Sequence, residues 1–116
     1  MPYINSITSV KLTPEKIESL KSKLGEAIYQ IPGKSEDWLF VRFQDEEMLY
    51  FKGRHQDNAA IIEVKLLGSQ SMDVKENFTS LISDIYFEEL NTPKENIYVI
   101  FSEVNIGDWG WNGGLL

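Results

Sequence analysis

The 116-residue chain contains no cysteine. That excludes a disulfide scaffold, a thiol nucleophile and cysteine-ligated zinc or iron–sulfur centres. The single histidine, His55, excludes the common multi-histidine metal sites, and no metal or other cofactor is expected. Positive charge is scarce: 11 Lys and Arg stand against 18 Asp and Glu, a formal net charge of −7. Such a surface repels phosphate backbones and anionic lipid, so neither nucleic acid nor a membrane surface is an expected partner. No apolar run approaches the roughly 20 residues of a membrane span. The start, Met1-Pro2-Tyr3-Ile4-Asn5-Ser6, lacks the basic segment and apolar stretch of a secretory leader, so a cytoplasmic location is expected.

What remains is a globular composition, 42% apolar and 25% charged, with six Phe, five Tyr and three Trp. The length suits one domain over residues 1–116. Residues 2–10 alternate as a strand. Thr13-Pro14 is a helix start, a cap followed by proline in the first turn. Ile17, Leu20, Leu24, Ala27, Ile28 and Ile31 follow at helical spacing until Pro32-Gly33 stops them. Trp38 to Phe43 is aromatic and β-branched and reads as a strand. After the acidic turn Asp45-Glu46-Glu47, Met48-Leu49-Tyr50-Phe51 reads as a short strand pairing back, and 53–58 as a polar loop. Ala60 to Leu67 is an apolar strand ended by Gly68. Asp73 to Glu76 has capping-box spacing and opens a helix striped by Val74, Phe78, Leu81, Ile82, Ile85 and Leu90. Ile97 to Phe101 is a last strand before a glycine-rich tail with two tryptophans.

The two halves repeat. Pro14 and Asp73, Trp38 and Ile97, and Pro2 and Ile61 each stand 59 residues apart. The expected fold is therefore α/β (α+β): a pseudo-repeat of 1–58 and 59–116, each β-α-β with a right-handed crossover. Each helix has one apolar stripe, so both cover the same face of one four-stranded mixed sheet. Trp38, Phe40, Tyr98 and Ile100 then fall on the other face, which nothing in the chain can bury. Association of copies through that face is expected.

A set of motifs occurs in order along nearly the whole chain. It comprises Met1-Pro2, Pro32-Gly33-Lys34, Leu49-Tyr50-Phe51-Lys52-Gly53, Glu63-Val64-Lys65-Leu66-Leu67-Gly68, Asn96-Ile97-Tyr98-Val99 and Trp109-Gly110-Trp111-Asn112-Gly113. Together they resemble the tautomerase superfamily, and within it the branch of macrophage migration inhibitory factor and its microbial phenylpyruvate tautomerase homologues. The resemblance implies a homotrimer with active sites between subunits and a small 2-oxo acid as substrate. It also implies keto–enol tautomerisation.

Pro2 is the first candidate. Removal of Met1 would leave it a free secondary amine. An ordinary α-amino group titrates near ~8, and burial or a nearby cation lowers that. A base in that range can move a proton between carbon and oxygen of a 2-oxo acid. The plainer reading is a proline that starts an edge strand, where a missing N–H costs little. The resemblance gives Lys34 the substrate carboxylate or developing enolate oxygen; otherwise it complements the end of a helix dipole. The resemblance gives Leu67 a backbone N–H contact to substrate, and makes Tyr3, Trp38, Tyr98 and Trp109 walls of an aryl pocket. Two positions depart from the pattern. Ile100 stands where the cytokine has a pocket asparagine, and Leu116 where it has a final aromatic lid, which makes the pocket more apolar. Arg42 shares strand spacing with Trp38 and Phe40 and is either a carboxylate ligand or an interface ion-pair partner. Glu63 and Lys65 either pair across an interface or line a cavity between sheets.

Two other functions stay open. One is hydration, dehalogenation or decarboxylation of a small acid by a cationic Pro2, with Asp37 or Glu103 activating water. The other is a non-enzymatic interaction protein that retains the proline.

Overall fold

The computed structural model describes residues 1–116 and begins with a strand, β1 (Pro2–Thr8). Ile4, Ser6 and Thr8 are fully buried on one side, while Tyr3 and Ile7 stay partly open on the other. The helix α1 (Pro14–Ala27) starts where the sequence signals it. The Thr13 hydroxyl accepts a hydrogen bond from the Lys16 N–H at 3.2 Å, and Pro14 stands where an N–H would have no partner. Leu20, Leu24 and Ile28 form its buried stripe.

Trp38 does not begin a strand. It closes a short 3-10 turn, Glu36–Trp38, in which the Leu39 N–H donates back to the Glu36 carbonyl at 3.1 Å. The strand β2 (Phe40–Gln44) starts only where Phe40 meets Tyr3 across the ladder. Met48 to Phe51 does not return onto β2 either. Its end forms β3 (Tyr50–Phe51), which pairs forward with β4 (Arg54–His55), inside the stretch expected to be loop. Lys52 and Gly53, at φ +56° and +73°, supply the two left-handed positions that a tight hairpin turn needs.

The strand β5 (Ala60–Leu67) has the expected bounds. The next helix, α2 (Met72–Leu90), is capped by Ser71 rather than opened by a box at Asp73: the Ser71 hydroxyl accepts from the Val74 N–H at 3.2 Å. Asp73 instead places a negative charge in the first turn, where the helix dipole favours it. Asn91, at φ +55°, ends the helix. The strand β6 (Ile97–Val104) runs three residues past Phe101. The tail is a second hairpin, β7 (Gly110–Trp111) and β8 (Gly114–Leu115), turning at Asn112 and Gly113.

The main sheet has the order β2-β1-β5-β6. Within each half the strands are parallel, and β1 joins β5 antiparallel. Pro2 and Ala60, Pro14 and Met72, and Glu36 and Lys94 open equivalent elements 58 residues apart. The repeat includes the hairpins, so the tail is the counterpart of β3–β4. Both helices lie on one face of the sheet, over Ile4, Ile62, Val64 and Leu66. Ser6, polar within that layer, is satisfied by the Tyr86 hydroxyl at 2.5 Å. Across the helices, Glu89 receives Lys16 at 3.3 Å, Lys23 at 3.2 Å and a hydrogen bond from Ser19. The Ser19 hydroxyl, with the two ammonium groups, holds the Glu89 carboxyl at about 2, below the usual carboxylate range.

The other face of the sheet is open. Phe40, Tyr98 and Ile100 are 78%, 54% and 45% exposed there. Trp38 is not on that face; its turn carries it to the end of the sheet. Asn5 donates to Gln44 at 2.9 Å and Glu63 at 3.0 Å, while its own side-chain carbonyl is buried without a donor. No helix is long and apolar enough to cross a membrane.

Candidate active site

The antiparallel register sets Pro2 opposite Leu66, so the start of β1 lies against the end of β5. Pro2 is buried. The carbonyl of Met1 accepts a hydrogen bond from the Leu67 N–H at 3.1 Å. Lys34 arrives from the other side. Gly33, at φ +80°, reverses the chain after α1, and the Lys34 ammonium donates to the Leu67 carbonyl at 2.8 Å. Both backbone groups of Leu67 are thus held by sequence-predicted site residues or their neighbour. A lysine ammonium has three donors, so Lys34 keeps two after this contact.

The terminal amine of Met1 lies within reach of Lys34. It sits below its ordinary value of 8.0: partial burial is the largest cause, followed by the positive charge of Lys34 and the hydrogen bond between them. A cation beside an amine disfavours a second positive charge, which keeps the amine available as a base.

Around Pro2 opens a cleft of about 750 Å³. It brings together Pro2, Tyr3, Trp38 and Trp109 from three separate parts of the chain. It also contains residues that the strand and loop patterns left unassigned to a pocket: Phe40, Val104, Asp108 and Trp111. Trp111 meets Trp38 edge to face, with ring centroids 4.9 Å apart. The signal for Trp111 was its spacing of two from Trp109 in a strand-forming hairpin. Lys65 lines the cleft, opposite Tyr3 in the ladder, and so does Asp37. Glu103 is held elsewhere by the Gln70 N–H at 2.7 Å and by Lys75 at 3.4 Å.

Tyr98 and Ile100 are not brought to this cleft within one chain. The Tyr98 ring lies edge-on to Phe51 at 5.5 Å and lines a smaller cleft of about 130 Å³ beside Ala60 and Asn96. That cleft is the repeat counterpart of the first, with Ala60 in the place of Pro2. Ile100 faces outward from β6, opposite Glu63. Leu116 adjoins the first cleft through its backbone: its N–H donates to the Trp109 carbonyl at 3.0 Å. Arg42 projects from the open face beside Asn5 and forms no ion pair within the chain. No cluster of three His, Asp or Glu side chains is arranged to hold a metal ion.

The family model described as macrophage migration inhibitory factor matches residues 1–116. Among solved structures, MIF2 of Leishmania major is 28% identical, with a TM-score of 0.90, covering 100% of this chain and 97% of that one. The macrophage migration inhibitory factor of Xenopus tropicalis is 23% identical over 96 residues, 83% of each chain. A probable tautomerase of Listeria innocua is 35% identical over 52 residues, 45% of this chain and 85% of its own length.

Proposed function

The chain belongs to the macrophage migration inhibitory factor family, and from that premise we propose that it is a keto–enol tautomerase of phenylpyruvate-like 2-oxo acids, with Pro2 as general base. One observation carries the reading: the Met1 amine, with its lowered proton affinity, the Lys34 ammonium and the Leu67 backbone meet at the start of β1, next to the aromatic cleft that Met1 and Pro2 line.

Removal of Met1 does two things at once. It exposes the secondary amine of Pro2, and it frees the Leu67 N–H that the Met1 carbonyl occupies. The substrate carboxylate takes up the freed N–H and the spare donors of Lys34. The neutral Pro2 nitrogen takes a proton from C3 of the keto acid. The C2–C3 double bond forms, and the carbonyl π electrons move onto the C2 oxygen. Lys34 stabilises the negative charge developing there. The proton now on the Pro2 nitrogen is then delivered to that oxygen, giving the enol and restoring the neutral amine; the reverse sequence returns the keto acid.

The working unit we propose is a trimer joined through the open sheet face. Phe40, Tyr98 and Ile100 are covered by that contact, and the Asn5 side-chain carbonyl gains a donor from the neighbouring copy. Tyr98 and Ile100 then complete the cleft of the adjacent subunit.

The test is the rate of phenylpyruvate enol–keto interconversion, followed by ultraviolet absorbance on protein whose intact mass shows Met1 removed. The Pro2→Ala variant is expected to lose about two orders of magnitude or more in kcat, the scale of a general base. Equal rates in parent and variant overturn the assignment of Pro2. No rate above buffer overturns the tautomerase reading for this substrate class.

A further inference from the structure

The cleft around Pro2 is electrically divided. Its strand end holds the terminal amine and Lys65, with Lys34 beside them. Its loop end holds Asp37 and Asp108, neither of which has an ion-pair partner in the chain. The indoles stand with the acids: Trp38 follows Asp37, Trp109 follows Asp108, and Trp111 meets Trp38 at 4.9 Å with the rings 81° apart. All three tryptophans of the chain line this one cleft.

Indole faces attract cations through their quadrupole, and an adjacent carboxylate adds a charged acceptor. A neutral aryl group fills the same walls but gains nothing from the two acids. Resting on the tautomerase reading above, we infer that the preferred 2-oxo acids carry a positive charge at the far end of the side chain. The carboxylate end goes to Lys34, and the cationic end goes between the Trp38–Trp111 corner and the Asp37 and Asp108 carboxylates. The net charge of −7 adds a long-range reason. A ligand with one charge of each sign approaches an acidic protein without the repulsion that a simple anion meets.

The test compares two isosteres that differ by one charge, 4-amidinophenylpyruvate and 4-carbamoylphenylpyruvate. Both are assayed for enol–keto interconversion with Met1-free protein and with the Asp37→Asn/Asp108→Asn double variant. The expected result is a preference for the amidine of about threefold or more in kcat/KM, the size of a solvent-exposed cation–π contact with charge assistance. In the double variant the ratio falls toward what the indoles alone supply, and in the parent it shrinks as salt is added. A ratio near one in the parent, or one undiminished in the double variant, overturns the inference.

A second readout does not depend on turnover. Tryptophan emission reports occupancy directly, because every indole lines the cleft. Benzamidine is expected to perturb the emission saturably, benzamide much less, and the difference narrows in the double variant. Equal responses overturn the charge preference even where no acid is turned over. Turnover of neither isostere above buffer, with benzamidine still preferred, overturns the tautomerase reading and leaves the cation site standing.

Discussion

In the proposed proton transfer Lys34 would act on both partners, and that makes its role separable by pH. Its charge helps hold the Met1 amine below its ordinary value, and the proposal sets the Pro2 amine beside the same cation, while its ammonium is placed to meet a carboxylate. The base works only when unprotonated, so activity rises with pH through the amine's titration and levels above it. In Lys34→Ala one of the causes lowering the amine is gone, so the rising limb moves to higher pH. The Michaelis constant also increases as the carboxylate loses its cation. A pH profile of kcat/KM for parent and variant checks both effects; an unmoved limb would show that Lys34 does not act on the base. At this scale the site was partly legible. Pro2, Lys34, Trp109 and Trp111 stand in recognisable short motifs, and Asp108 does not. That Trp111 and Asp108 line the cleft is not legible locally, because it depends on how a tail hairpin folds back on the Glu36–Trp38 turn, a contact between residues more than 70 positions apart in the chain.

Among the elements, the helix pair is tied by one carboxylate. Glu89 of α2 draws in Ser19, Lys16 and Lys23 of α1, and its carboxyl titrates at about 2 instead of 4.5. A depressed carboxyl contributes stability that is complete above its unfolded value and is lost as pH falls toward its folded one. The melting temperature is therefore expected to drop as pH is lowered from about 4.5 toward about 2, beyond the drop from other acids. Glu89→Gln should melt lower near neutrality and show a flatter acid limb over the same interval, measured by circular dichroism. Elements with local signals were read directly from the sequence: Thr13-Pro14 starts α1, and the apolar run of β5 has its bounds. Elements set by pairing were not. Tyr50-Phe51 looks the same whether it pairs backward or forward, and only the left-handed Lys52-Gly53 turn decides it. Ser71 caps α2 although Asp73 to Glu76, two residues on, carries the more familiar capping-box spacing.

For the whole molecule, the sheet has one face covered and one bare. Phe40 is the most exposed of its large apolar residues and lies at the edge strand. Phe40→Glu places a charge where a neighbouring copy would seat, and is expected to shift the protein from the proposed trimer to monomer. Light scattering coupled to size exclusion reads the change. Folding, followed by circular dichroism, should be retained because the helix-side core is untouched. Activity should fall with the mass, since in the proposed trimer Tyr98 reaches the Pro2 cleft only from a neighbouring copy.

The bond between the Met1 carbonyl and the Leu67 N–H also bears on how the protein is handled. Anything fused to the amino end, whether a purification tag or a fluorescent reporter, turns the Pro2 nitrogen into an amide and leaves Leu67 covered. Such a fusion is expected to fold and assemble normally yet show no turnover, and activity should return when a protease trims the fusion to a bare proline. The tagged form is then a ready-made inert control, identical in every side chain, for separating a signalling role from a chemical one.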